Sequence, residues 1–264
     1  NINSIQHKVL KNLLKSMKIN HGLEIHYDGD LPAMSGMGSS SSFVVGLINT
    51  IMEYNNVKIT SNELAKRAIK FEQIDLREVV GSQDQIACAI GGFNKITFNK
   101  NGNFSIKNLS SQKTKKLNNN FLLVYSSIRR NASSIAAKYA SQLSSSKKKY
   151  MDKIVEYSNL AEDYLLNEKF EDFGNLIGKT WQLKKKLNSC VTNRKIEELY
   201  NYCIESGASG GKLLGAGGGG FMLMYIPEKN RKKFDQKTKN LIKIPFKFSN
   251  KGSEIIYNSY KNDN

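Results

Sequence analysis

Apolar positions recur with two periods along this chain, and they mark out its elements. In 5–19, Ile5, Val9, Leu10, Leu13, Leu14 and Met17 fall at helical spacing. Leu23, Ile25 and Tyr27 alternate with polar neighbours and predict a strand over 23–27. The run 43–52 is apolar almost all the way round, which predicts a core helix. Thr60-Ser61-Asn62-Glu63 has the capping-box pattern and opens a helix with Ala65, Ala68 and Ile69 on one face. Glu72 continues that face. A carboxylate there costs free energy unless it reaches solvent, is paired or meets a cation.

Gly81-Ser82-Gln83-Asp84-Gln85 leads into a short apolar helix over 86–90, closed by Gly91-Gly92. An Asp at such a start ordinarily caps the helix. Segments 93–98 and 104–106 alternate about Asn101-Gly102, a hairpin signal, with Ile96 and Phe98 on one face. The polar stretch 108–120 suggests a boundary, giving domains 1–115 and 116–264. A buried strand over 121–125 follows, then a loop over 126–131 with Arg129 and Arg130. A helix from about residue 132 runs to a Ser-Lys loop near 144–147. Three more helices are predicted over 151–167, 170–187 and 192–205, the last capped by Gly207. Residues 210–225 read as strand, glycine run, strand. So many glycines lose extra backbone freedom on folding. The hydrophobic flanks exclude a flexible linker and point to close backbone approach.

Composition narrows the function. With 264 residues the chain can hold one or two domains, and no apolar run reaches membrane-spanning length. Three cysteines, odd in number and without a C-x-x-C pair, argue for a reducing compartment and against a disulfide framework or structural zinc. His7, His21 and His26 all lie in the first tenth of the chain, which disfavours a Ser-His-Asp hydrolase. A net charge of +17 attracts anions. The basic blocks 113–116, 147–149, 184–186 and 229–239 are dispersed and lack interleaved aromatics, so they read as solvated faces. The chain starts at Asn with no signal-peptide pattern, so it reads as a mature or truncated piece of something longer.

The candidate chemistry begins at Leu31-Pro32-Ala33-Met34-Ser35-Gly36-Met37-Gly38-Ser39-Ser40-Ser41-Ser42. Gly36 and Gly38 permit positive φ and close approach to a ligand. The serines and the helix behind them present N–H donors and partial positive charge, which suits a polyanion. No Lys follows the glycines, so this is not a Walker A loop. Taken alone, the stretch reads first as a Ser-capped helix after a glycine turn.

Three separated segments agree on more. Pro32–Ser40 follows the pattern Pro-x-x-x-Gly-Leu-Gly-Ser-Ser with Met37 for Leu; 81–85 reads Gly-x-x-Asp-Gln; 215–220 is a late glycine run. Together they resemble the GHMP kinases. Ala89-Ile90-Gly91-Gly92-Phe93-Asn94, Ser127-Ile128-Arg129, Trp181-Gln182-Leu183-Lys184 and 211–221 look most like the bacterial D-glycero-D-manno-heptose 7-phosphate kinases within that superfamily.

The resemblance implies an α+β fold, with a ribosomal protein S5 domain 2-like N-terminal domain and a ferredoxin-like C-terminal domain. It implies ATP bound by Pro32, Met34, Ser35, Gly36, Met37, Gly38, Ser39 and Ser40, with Mg²⁺ held by Ser40 and Glu72. Asp84 would take the proton of a sugar's anomeric hydroxyl. Gly217, Gly218 and Gly219 would shape the site, and Arg129 and Lys184 would meet the substrate's phosphate.

The implied protein is a cytoplasmic kinase supplying nucleotide-heptose for surface polysaccharide, with no membrane or nucleic-acid partner; a homodimer is left open. Fucose-, galactose- or mevalonate-type kinases are the near alternatives, and an inactive basic nucleic-acid-binding module is the distant one. The family's first motif, on N-terminal strands, is absent, so the N-terminal domain is expected to be incomplete.

Overall fold

The computed structural model describes residues 2–19, 21–30, 35–109, 112–128 and 147–259. Pro32, Met34, Arg129 and the helix expected from residue 132 lie outside the described residues. The chain forms two compact units, one of Asn1–Ala33, Gly38–Gly92 and Ser249–Asn264, the other of Met34–Met37 and Phe93–Phe248. The hairpin therefore belongs to the second unit, although the boundary read from sequence lies at 115. Phe93 holds it there, stacking edge-on against Phe248 at 5.0 Å and lying 6.4 Å from Phe173. Glu162 adds ion pairs to Lys95 and Lys107 on the two hairpin strands.

The first unit is built on helices α1 (Lys8–Ser16), α2 (Ser39–Tyr54), α3 (Ser61–Lys70) and α4 (Gln83–Ile90). His7 starts α1, its ring nitrogen accepting from the Leu10 N–H at 3.3 Å. The capping box at Thr60 and Glu63 forms in both directions and fixes the start of α3. Helices α2, α3 and α4 pack on one another, burying Val44, Val45, Ile48, Leu64, Ala65, Ala68 and Ile86. Full burial of side chains this size contributes about 1.5–3 kcal/mol for each Val, Leu or Ile, so these helices are held by their apolar faces.

Segment 23–27 forms no strand. No described residue pairs with it, and Leu23, Ile25 and Tyr27 remain exposed. Alternation supplies a strand's pattern, but a strand also needs a neighbour for its N–H and C=O groups.

The second unit carries hairpin β1 (Asn94–Phe98) and β2 (Phe104–Asn108), with Ile96 opposite Ile106 and Phe98 opposite Phe104. Its larger sheet is antiparallel in the order β4-β5-β3-β6, from β3 (Phe121–Tyr125), β4 (Gly210–Leu213), β5 (Phe221–Tyr225) and the short β6 (Lys243–Ile244). Helix α5 (Gln112–Lys116) precedes β3; α6 (Lys148–Leu166), α7 (Phe170–Leu187), α8 (Arg194–Ser206) and α9 (Arg231–Lys237) complete the unit.

Helix α7 lies against β4 at very short range. A Cβ at Gly174 would come within 2.3 Å of the Tyr225 ring, and one at Gly210 within 2.1 Å of the Gly174 carbonyl. Trp181, Ile196, Leu213, Met222 and Phe234 fill the core beside it.

Candidate active site

In the first unit the site grows from the N-termini of two helices. Gly38 precedes α2 with φ +72, so glycine is required for the turn into the helix. Ser39 and Ser40 form the first turn, Ser40 exposed and Ser41 buried. Helix α4 begins after Ser82, so Asp84 sits inside the first turn and does not cap it. Its carboxylate lies beside Gly38: a Cβ there would be 3.5 Å from both Cγ and Oδ2 of Asp84. Asp84 is exposed, whereas Gln85, the next residue and a ~100° step around the helix, is fully buried.

Glu72 comes from a π-helical turn, Phe71–Asp75, that continues α3. The Leu76 N–H bonds the Phe71 carbonyl at 2.9 Å, closing the wide turn. Glu72 is 1% exposed, so it does not reach solvent as a residue at a helix end would. Ser41 Oγ donates to its two carboxylate oxygens at 3.3 and 3.0 Å, and Gln85 Nε2 donates to Oε2. Burial raises the Glu72 pKa; the Gln85 and Ser41 hydrogen bonds oppose this, and the negative charges of Glu78 and Asp84 add to it.

The buried Glu72 carboxylate and the Ser41 hydroxyl bonded to it are hard oxygens of the kind Mg²⁺ takes, with its remaining positions left to waters, because no three His, Cys, Asp or Glu side chains cluster among the described residues. The resemblance gives Ser40 and Glu72 to one Mg²⁺; the hydroxyl hydrogen-bonded to Glu72 is that of Ser41. The sequence reading gives neither Ser41 nor Gln85 a role. Ser41 is signalled only by its place in a serine run, and Gln85 only as the last position of the Gly-x-x-Asp-Gln pattern.

In the second unit, the glycine run grips Ser35 and Gly36. The Phe221 N–H donates to the Ser35 carbonyl at 3.2 Å. A Cβ at Gly220 would lie 2.1 Å from that carbonyl oxygen, and one at Gly215 would lie 2.8 Å from Gly36 Cα. Gly217 and Gly218 turn with φ +107 and +62 against Val191, whose carbonyl accepts from the Gly218 N–H at 2.6 Å. Gly219 is buried within the run. The glycines are there for backbone-to-backbone contact, as the sequence reading expects. Ser35 is itself buried. Lys184, in the last turn of α7, donates to the Gly215 carbonyl at 2.8 Å.

In comparison with known protein families, the model of the GHMP kinases N terminal domain matches residues 4–92, and that of the GHMP kinases C terminal domain matches 161–237. Together they cover more than half of the chain, which belongs to the GHMP kinase family.

The D-glycero-alpha-D-manno-heptose 7-phosphate kinase of Campylobacter jejuni is 31% identical over 226 residues, covering 84% of this chain and 66% of that protein. The mevalonate kinase of Methanocaldococcus jannaschii is 27% identical over 231 residues, covering 84% of this chain and 68% of that one. The chain thus spans about two thirds of the length of these curated relatives. In fold it is similar to a heptose 1-phosphate kinase structure from Bacteroides thetaiotaomicron, with a TM-score of 0.71, 23% identity and coverage of 95% and 74% of the two chains. No helix among the described residues is long and apolar enough to cross a membrane.

Proposed function

We propose that this protein transfers the γ-phosphoryl group of ATP to the anomeric hydroxyl of a sugar phosphate, D-glycero-D-manno-heptose 7-phosphate giving the 1,7-bisphosphate. The observation that carries the reading is the Asp84 carboxylate beside Gly38, at the start of α2. It sets a proton acceptor next to a helix N-terminus suited to phosphate. The 31% identity to the Campylobacter heptose kinase supports the choice of sugar. We place the enzyme in the cytoplasm, feeding nucleotide-heptose synthesis for surface polysaccharide.

In this reading, Ser35 to Ser40 hold the ATP phosphates through backbone N–H groups; the late glycine run keeps Ser35 and Gly36 in shape through Gly215 and Gly220, and Gly217, Gly218 and Gly219 shape the turn between them. Asp84 accepts the proton of the sugar hydroxyl as its oxygen bonds to the γ-phosphorus. The bond from that phosphorus to the β–γ bridging oxygen breaks, and ADP departs. Ser40 and Glu72 are the residues that would hold Mg²⁺, with Ser41 steadying Glu72. When bound, the ion neutralises phosphate charge. Arg129 and Lys184 are assigned the substrate's own phosphate, Arg as a bidentate partner and Lys as a point charge.

A mevalonate-type acceptor is the second reading, favoured by the 27% identity to the archaeal mevalonate kinase. Phosphoryl transfer from ATP and Mg²⁺ across heptose 7-phosphate, fucose, galactose and mevalonate separates the two. Asp84→Asn should lower turnover by about 10²–10⁴ while ATP binding persists. Turnover of none of these acceptors, or full turnover by the Asp84 variant, refutes the assignment.

A further inference from the structure

Resting on that reading, we propose that Gln85, together with Ser41, is a positioning residue for the cation site. Its amide nitrogen fixes the Glu72 carboxylate, and its amide oxygen accepts a hydrogen bond from a water on the bound cation. Gln85 is 0% exposed, yet only half of its amide is used. The nitrogen donates to Glu72 Oε2, while the buried Oε1 has no hydrogen-bond partner among the described residues. Leaving such a buried acceptor unpaired is destabilising. A residue that served packing alone would do better as Met or Leu.

The cation resolves this. Mg²⁺ keeps several of its waters when it binds to one or two carboxylates, and those waters are donors only. An acceptor held next to the carboxylate ligand is suited to receive one. Ser41 completes the clamp from α2, donating to both Glu72 oxygens. Glu72 is thus held from two helices, its lone pairs partly used and its orientation fixed. Partners of this kind, behind the ligands themselves, typically change metal affinity by about 10–100-fold when removed.

The test is Mn²⁺ binding to the protein with ADP, read from the loss of the free-Mn²⁺ electron paramagnetic resonance signal. Gln85→Met keeps length and volume but removes donor and acceptor; Ser41→Ala removes the second donor. Each should weaken Mn²⁺ binding by about tenfold or more, with metal-free ADP affinity unchanged. A purely structural role would lower the metal-free melting temperature and leave Mn²⁺ affinity alone. If Gln85→Met fails to fold, Ser41→Ala decides. Wild-type protein that binds Mn²⁺, with folded variants binding it within twofold, overturns this inference alone. Wild-type protein that binds no Mn²⁺ overturns the metal reading, and this inference with it.

Discussion

Gly220→Ala is the sharpest perturbation of the glycine run. Gly220 is pinned on both sides: its N–H donates to the Ile128 carbonyl and its carbonyl accepts from the Ser126 N–H, each at 2.9 Å. Its φ is +92, which an L-residue adopts at a cost of about 1–2 kcal/mol. The added Cβ would also lie 2.1 Å from the Ser35 carbonyl oxygen, a contact with backbone that no side-chain rotation relieves. Overpacking of this kind costs about 1–3 kcal/mol. The variant should lose about 2–5 kcal/mol in total.

Guanidinium or thermal unfolding measures the loss. Gly46→Ala is the matched control. That residue lies inside α2, and a methyl added there would meet nothing within 4 Å. It should gain up to about 1 kcal/mol from helix propensity. The same chemical change thus carries opposite signs at two glycines. Because the clash falls on Ser35, next to Gly36, Gly220→Ala should also weaken ATP binding. A stability loss below about 0.5 kcal/mol, within the range of ordinary surface substitutions, would refute the claim that this run is built for backbone contact.

Other outcomes follow from the same geometry. Glu72→Gln keeps shape and removes a charge whose pKa is raised by burial. A raised native pKa gives stability that is full below the unfolded value and lost as pH rises through the native one. The variant should therefore melt higher than wild type at pH 7 without metal, with the difference closing towards pH 4; an equal difference at both pH values would refute it. Burial pushes the Cys88 thiol up to about 11 and the Cys203 thiol up to about 12. Both should resist a thiol reagent at pH 8 in the native protein and react in denaturant, and rapid native labelling of Cys203 would contradict its burial. Gly174→Ala should be destabilising despite its better helix propensity, because its methyl would meet the Tyr225 ring; unfolding midpoints check this.

Local patterns in the sequence determined much of this protein. Helical spacing located α1 and α8, and an almost unbroken apolar run located α2, because each carries apolar surface enough to dominate its own packing. The capping box at Thr60 and the turn at Asn101-Gly102 are completed within a few residues, so they are legible without tertiary context. The glycine run was readable because close approach leaves a compositional mark.

Tertiary structure decided the rest. The segment 23–27 carries a strand's alternation but lacks a pairing partner among the described residues. Glu72 is buried and not solvated because a π turn sets it in the first unit's interior. Ser41 reaches it where Ser40 does not, since adjacent residues on a helix face ~100° apart. Gln85 turns inward and Asp84 outward for the same reason. Such differences depend on which side of each helix meets another helix. Long-range packing fixes that choice, and spacing along the chain does not record it.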